Sequence, residues 1–316
     1  MFSGCYDVFF KLEPNHCSMT YMYEMPQYVT VPMTQQINNS FPKYNLVVYG
    51  EGEGKRTSNL QKNKFSGIPV LFIPGNAGSV KQVRSLASVA LRKSIEDYKY
   101  KVHFDYFSVD FDEEWSAFYG GTLEKQTQYV IHCINKILSL YKNNEQNNVK
   151  SVVLVGHSMG GVIAKAVMMY PDQLSGPGTV PLIINLATPV TPVLVMDKET
   201  QVFYDKVTEY WKMSRPKDLS LVSIAGGLRD IQVRAGLTVD PSADINTVTD
   251  GVPGGWVSAD HKCIVWCRQV VLAINRAMFD MITPVTKQIT LDKSLRDNIL
   301  RYLSILDTHK QSIVKC

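Results

Sequence analysis

With 316 residues, 45% of them apolar, the chain is long enough to bury a large core, as one α/β domain with excursions or as two smaller ones. Its 33 basic and 29 acidic side chains leave a formal charge of +4, and no basic run or aromatic-interleaved patch accompanies it, so nothing points to nucleic acid. No uncharged apolar run reaches about 18 residues, and Asp7, Lys11 and Glu13 interrupt the stretch where a signal peptide needs an apolar core; by itself the chain reads as soluble.

Residues 1–45 mix aromatics, methionines and prolines without a clear period and are expected to form an irregular segment packed on the core. Asn38-Asn-Ser within it is an N-glycosylation sequon, meaningful in a secretory compartment. A strand is expected over Tyr44 to Tyr49. Next, the apolar run Val70 to Ile73 ends in Pro74-Gly-Asn-Ala-Gly, followed by a helix carrying Leu86, Ala87 and Val89. Small residues at the carboxyl end of a strand let backbone N–H groups approach a ligand. Asn76 or Ala77 is the expected donor there.

Residues 102–110 alternate as a strand, and 111–121 form an acidic, aromatic loop. Thr122 to Tyr141 carries Val130, Ile134, Ile137 and Leu138 at helical spacing. Val152 to Val155 then reads as a buried strand and Gly160 to Ala166 as the start of a helix, with Gly156-His-Ser-Met-Gly between them. That junction is the G-x-S-x-G nucleophile elbow. By composition the pattern arises by chance in about one chain in ten, so the strand before it and the small-residue helix after it carry the assignment. The strand-to-helix turn lifts Ser158 above the sheet edge, with the Met159 N–H beside it as an oxyanion donor.

Downstream, Pro181 to Pro189 reads as a strand, Val202 to Lys212 as a helix, and Leu219 to Asp230 as a further strand. The excursion 231–259 has little core, and its Val252-Pro-Gly-Gly-Trp is expected to loop over the site. Cys263 to Ile282 reads as one helix, Lys293 to Leu306 as a polar one. The alternation of strands and helices implies a doubly wound, mostly parallel sheet. The expected organisation is the segment 1–45, a catalytic domain over 46–282, and a polar helix and tail over 283–316. Six cysteines lack C-x-x-C metal spacing. A Cys5–Cys17 bridge and free thiols both fit.

A serine hydroxyl near neutral pH needs a base, and the base needs an orienting acid. In this architecture the order is Ser, acid, His. His16, His103 and His132 precede Ser158, His157 lies inside the elbow, and His309 sits in the tail; His261 remains as the base. Asp230, at the end of its strand, is the favoured acid over Asp218, Asp240, Asp244 and the adjacent Asp260.

These motifs resemble the GPI inositol-deacylase family of α/β-hydrolases over roughly residues 15–280. The resemblance rests on His16-Cys-Ser-Met-Thr-Tyr-Met, Ile73-Pro-Gly-Asn-Ala-Gly-Ser, Asp110-Phe-Asp-Glu-Glu-Trp-Ser-Ala-Phe-Tyr-Gly, the elbow, Leu186-Ala-Thr-Pro, Ser223-Ile-Ala-Gly-Gly-Leu-Arg-Asp and Trp256-Val-Ser-Ala-Asp-His-Lys-Cys-Ile-Val-Trp-Cys. It implies removal of the acyl chain from the inositol of a GPI anchor, in the endoplasmic reticulum membrane, with the GPI lipid or GPI-anchored proteins as substrate and a membrane surface as neighbour. Ser158, Asp230 and His261 match the family's nucleophile, acid and base, and no metal or organic cofactor is required. The chain departs from the family at Val190, where a histidine is usual, and in lacking the hydrophobic anchor and long membrane region of such proteins. A general lipase or esterase on acylglycerols, and a catalytically silent lipid- or cargo-binding protein, are the alternative readings.

Overall fold

The central strands are near-continuous apolar runs whose successive side chains point to opposite faces of a sheet, and this builds two cores, one on each face. The computed structural model describes residues 16–53, 55–96, 102–142, 149–193 and 197–304. Within them eight strands, β1 (Pro26–Val31), β2 (Asn45–Glu51), β3 (Ile68–Ile73), β4 (Phe104–Asp110), β5 (Val153–His157), β6 (Leu182–Leu186), β7 (Ser220–Ala225) and β8 (Ile245–Val248), form one sheet in the order β1-β2-β4-β3-β5-β6-β7-β8. From β4 to β8 all neighbours pair in parallel, while β1 and β2 add an antiparallel edge.

Nine helices accompany the sheet in the described residues: α1 (Gln35–Ser40), α2 (Lys55–Gln61), α3 (Arg84–Glu96), α4 (Gly120–Tyr141), α5 (Met159–Val167), α6 (Lys198–Met213), α7 (Ala235–Thr238), α8 (Arg268–Asp280) and α9 (Lys293–Arg301). In β3, Val70 and Phe72 pack with Leu86 of α3 and Ile274 of α8, whereas Leu71 and Ile73 pack with Ile134 of α4 and Ile163 of α5. Both faces of every central strand are therefore covered, which is why the strands read as near-continuous apolar runs. Each fully buried leucine or isoleucine in them contributes about 2–3 kcal/mol of transfer free energy.

Several elements differ from the sequence expectation. The stretch expected to be irregular contains β1, paired in register with β2 from Pro26↔Glu51 to Val31↔Leu46. The excursion 231–259 contains α7 and β8, and β8 extends the parallel sheet beyond β7. The helix expected over Cys263 to Ile282 is broken. A 3-10 turn at Cys263–Val265 ends at Trp266, Cys267 is extended, and α8 begins at Arg268.

A covalent tie lies at the break. Cys17 is joined to Cys267, not to Cys5, which lies outside the described residues. Around the disulfide, Arg268 N–H donates to Ser18 O at 2.9 Å and Thr20 Oγ1 to Trp266 O at 2.7 Å. The N-terminal segment is thereby fastened to the loop between His261 and α8. At the other end of the sheet, Arg296 of α9 is fully buried and donates to Ser220 Oγ, Thr290 O and the Asp218 carbonyl.

Candidate active site

The elbow joins β5 to α5 with Ser158 at φ 54° and ψ −126°, a backbone conformation costing about 1–3 kcal/mol in a non-glycine residue. Close approach explains its glycines. A Cβ on Gly156 would lie 2.4 Å from the Gly161 Cα, and one on Gly160 would lie 2.0 Å from the Ile73 carbonyl oxygen. Ser158 is only 7% exposed, so its hydroxyl opens into a cavity and not onto the outer surface.

His261 and Asp230 meet that hydroxyl. Ser158 Oγ lies 2.9 Å from His261 Nε2, and His261 Nδ1 lies 3.0 Å from Asp230 Oδ2. A carboxylate can only accept, so the imidazole proton is assigned to Nδ1 and Nε2 accepts from the serine hydroxyl. Asp230 is held in turn: its Oδ1 accepts from the N–H groups of Gln232 at 3.1 Å and Val233 at 2.8 Å, and its own N–H donates to Gly227 O. β7 ends at Ala225, five residues earlier than expected, and a tight loop carries Asp230 to the imidazole.

The rival acids are engaged elsewhere. Asp240 pairs with the buried Lys165, and Asp244 with Arg215 and Lys293. Asp260 accepts from the N–H groups of Lys262 and Cys263, capping the turn after His261. Of the other histidines, His103 sits beside Asp105 and His132 against the Phe41 ring; His309 lies outside the described residues.

The loop after β3 sets the second oxyanion donor. Ala77 N–H donates to Glu114 O at 3.0 Å, so that donor is already engaged, and Ala77 does not line the cavity with Ser158. Asn76 lines the cavity, and its side-chain Oδ1 accepts from Ala117 N–H at 2.9 Å, which ties this loop to the one after β4. Asn76 and Met159 are thus the two oxyanion candidates the geometry leaves.

The cavity, about 200 Å³, holds Ser158 and His261 between Asn76, Ala117, Phe118, Pro189 and Val193, with Tyr204 of α6 and Val233 completing the wall. Larger hollows of about 470 and 680 Å³ lie around Pro171–Val180 and around Thr283–Asp292, but neither contains Ser158, His261 or Asp230. Val190 stands outside the wall and donates its N–H to Leu237 O, so the departure at this position leaves the lining to its proline and valine neighbours. Residues 252–256, expected over the site, do not line it; Val252 is buried in the core and Trp256 is exposed. Tyr204, Gln232 and Val233 were not legible as lining residues, because no motif marks them.

A family profile described as "PGAP1-like alpha/beta domain" matches residues 64–281. The chain belongs to the PGAP1-like alpha/beta domain family. Among curated relatives of this family, the rat GPI inositol-deacylase is 45% identical over 98% of the chain and 34% of its own length. The Drosophila melanogaster GPI inositol-deacylase is 36% identical over 88% of the chain and 31% of its own length. The chain therefore spans about a third of the curated relatives it matches. Among solved structures, an inhibited esterase B from Lactobacillus rhamnosis superimposes with a TM-score of 0.50 at 14% identity, covering 81% of this chain and 86% of that one. The fold of this PGAP1-like domain is that of the α/β-hydrolases.

Proposed function

We propose that the chain is a serine ester hydrolase that removes the fatty acyl chain from the inositol of a GPI anchor. The observation that carries this reading is the unbroken line of hydrogen bonds from Ser158 Oγ through His261 to Asp230 at the wall of an apolar cavity, in a chain whose curated relatives are named GPI inositol-deacylases. His261 takes the Ser158 proton as the hydroxyl oxygen attacks the acyl carbonyl. The tetrahedral oxyanion is met by the N–H groups of Met159 and Asn76, worth about 3 kcal/mol each in the transition state. Protonated His261 then passes its proton to the departing inositol oxygen, and the acyl group stays on Ser158. Water, deprotonated by His261, releases the fatty acid and restores the enzyme.

Two further parts of the reading concern surroundings. A membrane surface is supported by large apolar side chains on the loops at the carboxyl end of the sheet: Trp115 is 64% exposed, Leu228 82% and Trp256 67%. These follow β4, β7 and β8, the edge that also carries Ser158. The lumen of the endoplasmic reticulum is supported by the Cys17–Cys267 disulfide, which persists in oxidising compartments, and by the exposed Asn38 sequon on α1. No helix among the described residues is long and apolar enough to cross a membrane.

Hydrolysis of an inositol-acylated GPI and of a triacylglycerol by the purified protein, each presented in the same phospholipid vesicles, tests the substrate. Fatty acid release from the GPI alone, lost in Ser158→Ala, is expected. Release from the triacylglycerol alone would replace this reading by that of a general lipase, and release from neither by that of a binding protein.

A further inference from the structure

His157 precedes the nucleophile in the elbow, and the mechanism above gives it no role. It ends β5, is 3% exposed, and its Nε2 lies 2.8 Å from the backbone carbonyl oxygen of His261. The two rings lie 5.0 Å apart between centroids. A carbonyl oxygen only accepts, so the proton of the neutral imidazole sits on Nε2 and Nδ1 keeps its lone pair. That Nδ1 is buried and has no hydrogen-bond partner among the described residues, which a protonated ring could not tolerate.

The place of this bond in the fold gives it meaning. His261 belongs to a segment without strand or helix, between Val257 and the turn at Cys263. Its neighbours are held by Gly227 N–H on Ala259 O, by Thr249 Oγ1 accepting from Ala259 N–H, and by Asp260 capping its own turn. At His261 itself, the bond from His157 joins the base's own peptide to the strand that carries the nucleophile. Among the described residues, no other hydrogen bond joins the elbow to the backbone of His261.

We propose that His157 is a positioning residue for the ester hydrolase reaction: its Nε2–H donates to the His261 carbonyl and fixes the distance between the base and the Ser158 hydroxyl. This rests on the reading of Ser158 and His261 as nucleophile and base. One strand thereby sets both partners of the proton transfer, the hydroxyl through the bend at Ser158 and the imidazole through the side chain one residue before it. Burial holds the His157 imidazole down at about 4, so the ring stays neutral across the neutral range, and the His261 carbonyl keeps its proton on Nε2.

The test compares His157→Met, of similar bulk and without a donor, with His157→Gln, whose amide N–H₂ restores one. Inactivation by a fluorophosphonate is followed over a range of probe concentrations, alongside thermal melts. In the Met variant the maximal inactivation rate is expected to fall by about ten-fold or more, with the half-saturating concentration little changed, because misplacement of a catalytic base affects the chemical step. The Gln variant is expected to recover most of the rate. Equal rates in the wild type and the Met variant would overturn the proposal, as would equal losses in Met and Gln matched by equal losses in melting temperature. Nitrogen NMR of the unmodified protein provides a measurement independent of any variant. A neutral His157 with a solvent-protected proton on Nε2 is expected, and a proton on Nδ1 would overturn the assignment. A wild type that does not react with the probe at all would count against the ester hydrolase reading, while the NMR result would still decide the His157–His261 bond.

Discussion

Two imidazoles five ångströms apart serve opposite ends here, and their surroundings differ accordingly. His261 faces a hydroxyl and a carboxylate, whereas His157 is buried, its imidazole lowered to about 4 chiefly by desolvation, then by the neighbouring His261, with the His261 carbonyl and Asp230 acting the other way. In the unfolded chain the same imidazole titrates near 6.5. Between these values the unfolded state binds a proton that the folded state refuses, so this residue's contribution to stability is fully present above about 6.5 and is lost as the pH falls toward 4. A loss of roughly 3 kcal/mol from this residue is expected over that window. Urea titrations at a series of pH values check it: His157→Gln should show a shallower decline than the wild type through this window, and parallel curves would refute it. The residues that meet in the Ser158–His261–Asp230 line of hydrogen bonds were the ones singled out in the sequence, where chain order sets aside His16, His103, His132 and His157 and the polar tail sets aside His309. The choice between Asn76 and Ala77 was not legible there, because the direction of a peptide N–H in a loop depends on which carbonyl, here Glu114 O, comes to meet it.

At the scale of elements, the elbow works because β3, β5 and α5 approach more closely than any side chain allows. Gly160→Ala would set a methyl group 2.0 Å from the Ile73 carbonyl and 2.7 Å from that of Pro74, both backbone atoms on the strand and loop that carry Asn76. A destabilisation of about 3 kcal/mol or more is expected, with loss of fluorophosphonate labelling at Ser158 in whatever folds. Gly236→Ala, where a Cβ meets nothing within 4 Å, should change stability by about 0.5 kcal/mol or less. Denaturation midpoints of the two variants check the contrast, and equal midpoints would contradict it. The central strands were legible from their apolar runs. The edges were not: β8 is four residues long with only Ile245 buried, and β1 is half-exposed, so neither carries the apolar density that marks β3, β5 and β6. Sheet edges earn their place by pairing, and pairing is set by the neighbouring strand.

Over the whole molecule, the Cys17–Cys267 disulfide ties residues 250 apart and closes the chain around nearly the entire sheet. Cross-linking so long a loop restricts the unfolded state, and Cys17→Ser should cost about 2–5 kcal/mol. A thiol reductant should lower the melting temperature of the wild type and leave Cys17→Ser unmoved; a reductant effect of equal size in both would contradict the bridge. The pairing could not be read from cysteine spacing, since nearness in sequence favoured Cys5 while the fold brings Cys267 to the N-terminal segment. The bridge also lies six residues beyond His261, at the head of the helix that follows it, so Cys17→Ser is expected to lower the melting temperature while leaving the rate of fluorophosphonate labelling within about ten-fold of the wild type.

All of this converges on one hydroxyl. Reaction of the purified chain with a fluorophosphonate, followed by mass spectrometry of its peptides, tests it most directly. The account expects a single adduct on Ser158, absent in Ser158→Ala and formed at least about a thousand-fold more slowly in His261→Ala. Labelling that persists in Ser158→Ala, or that proceeds at the wild-type rate in His261→Ala, would contradict it.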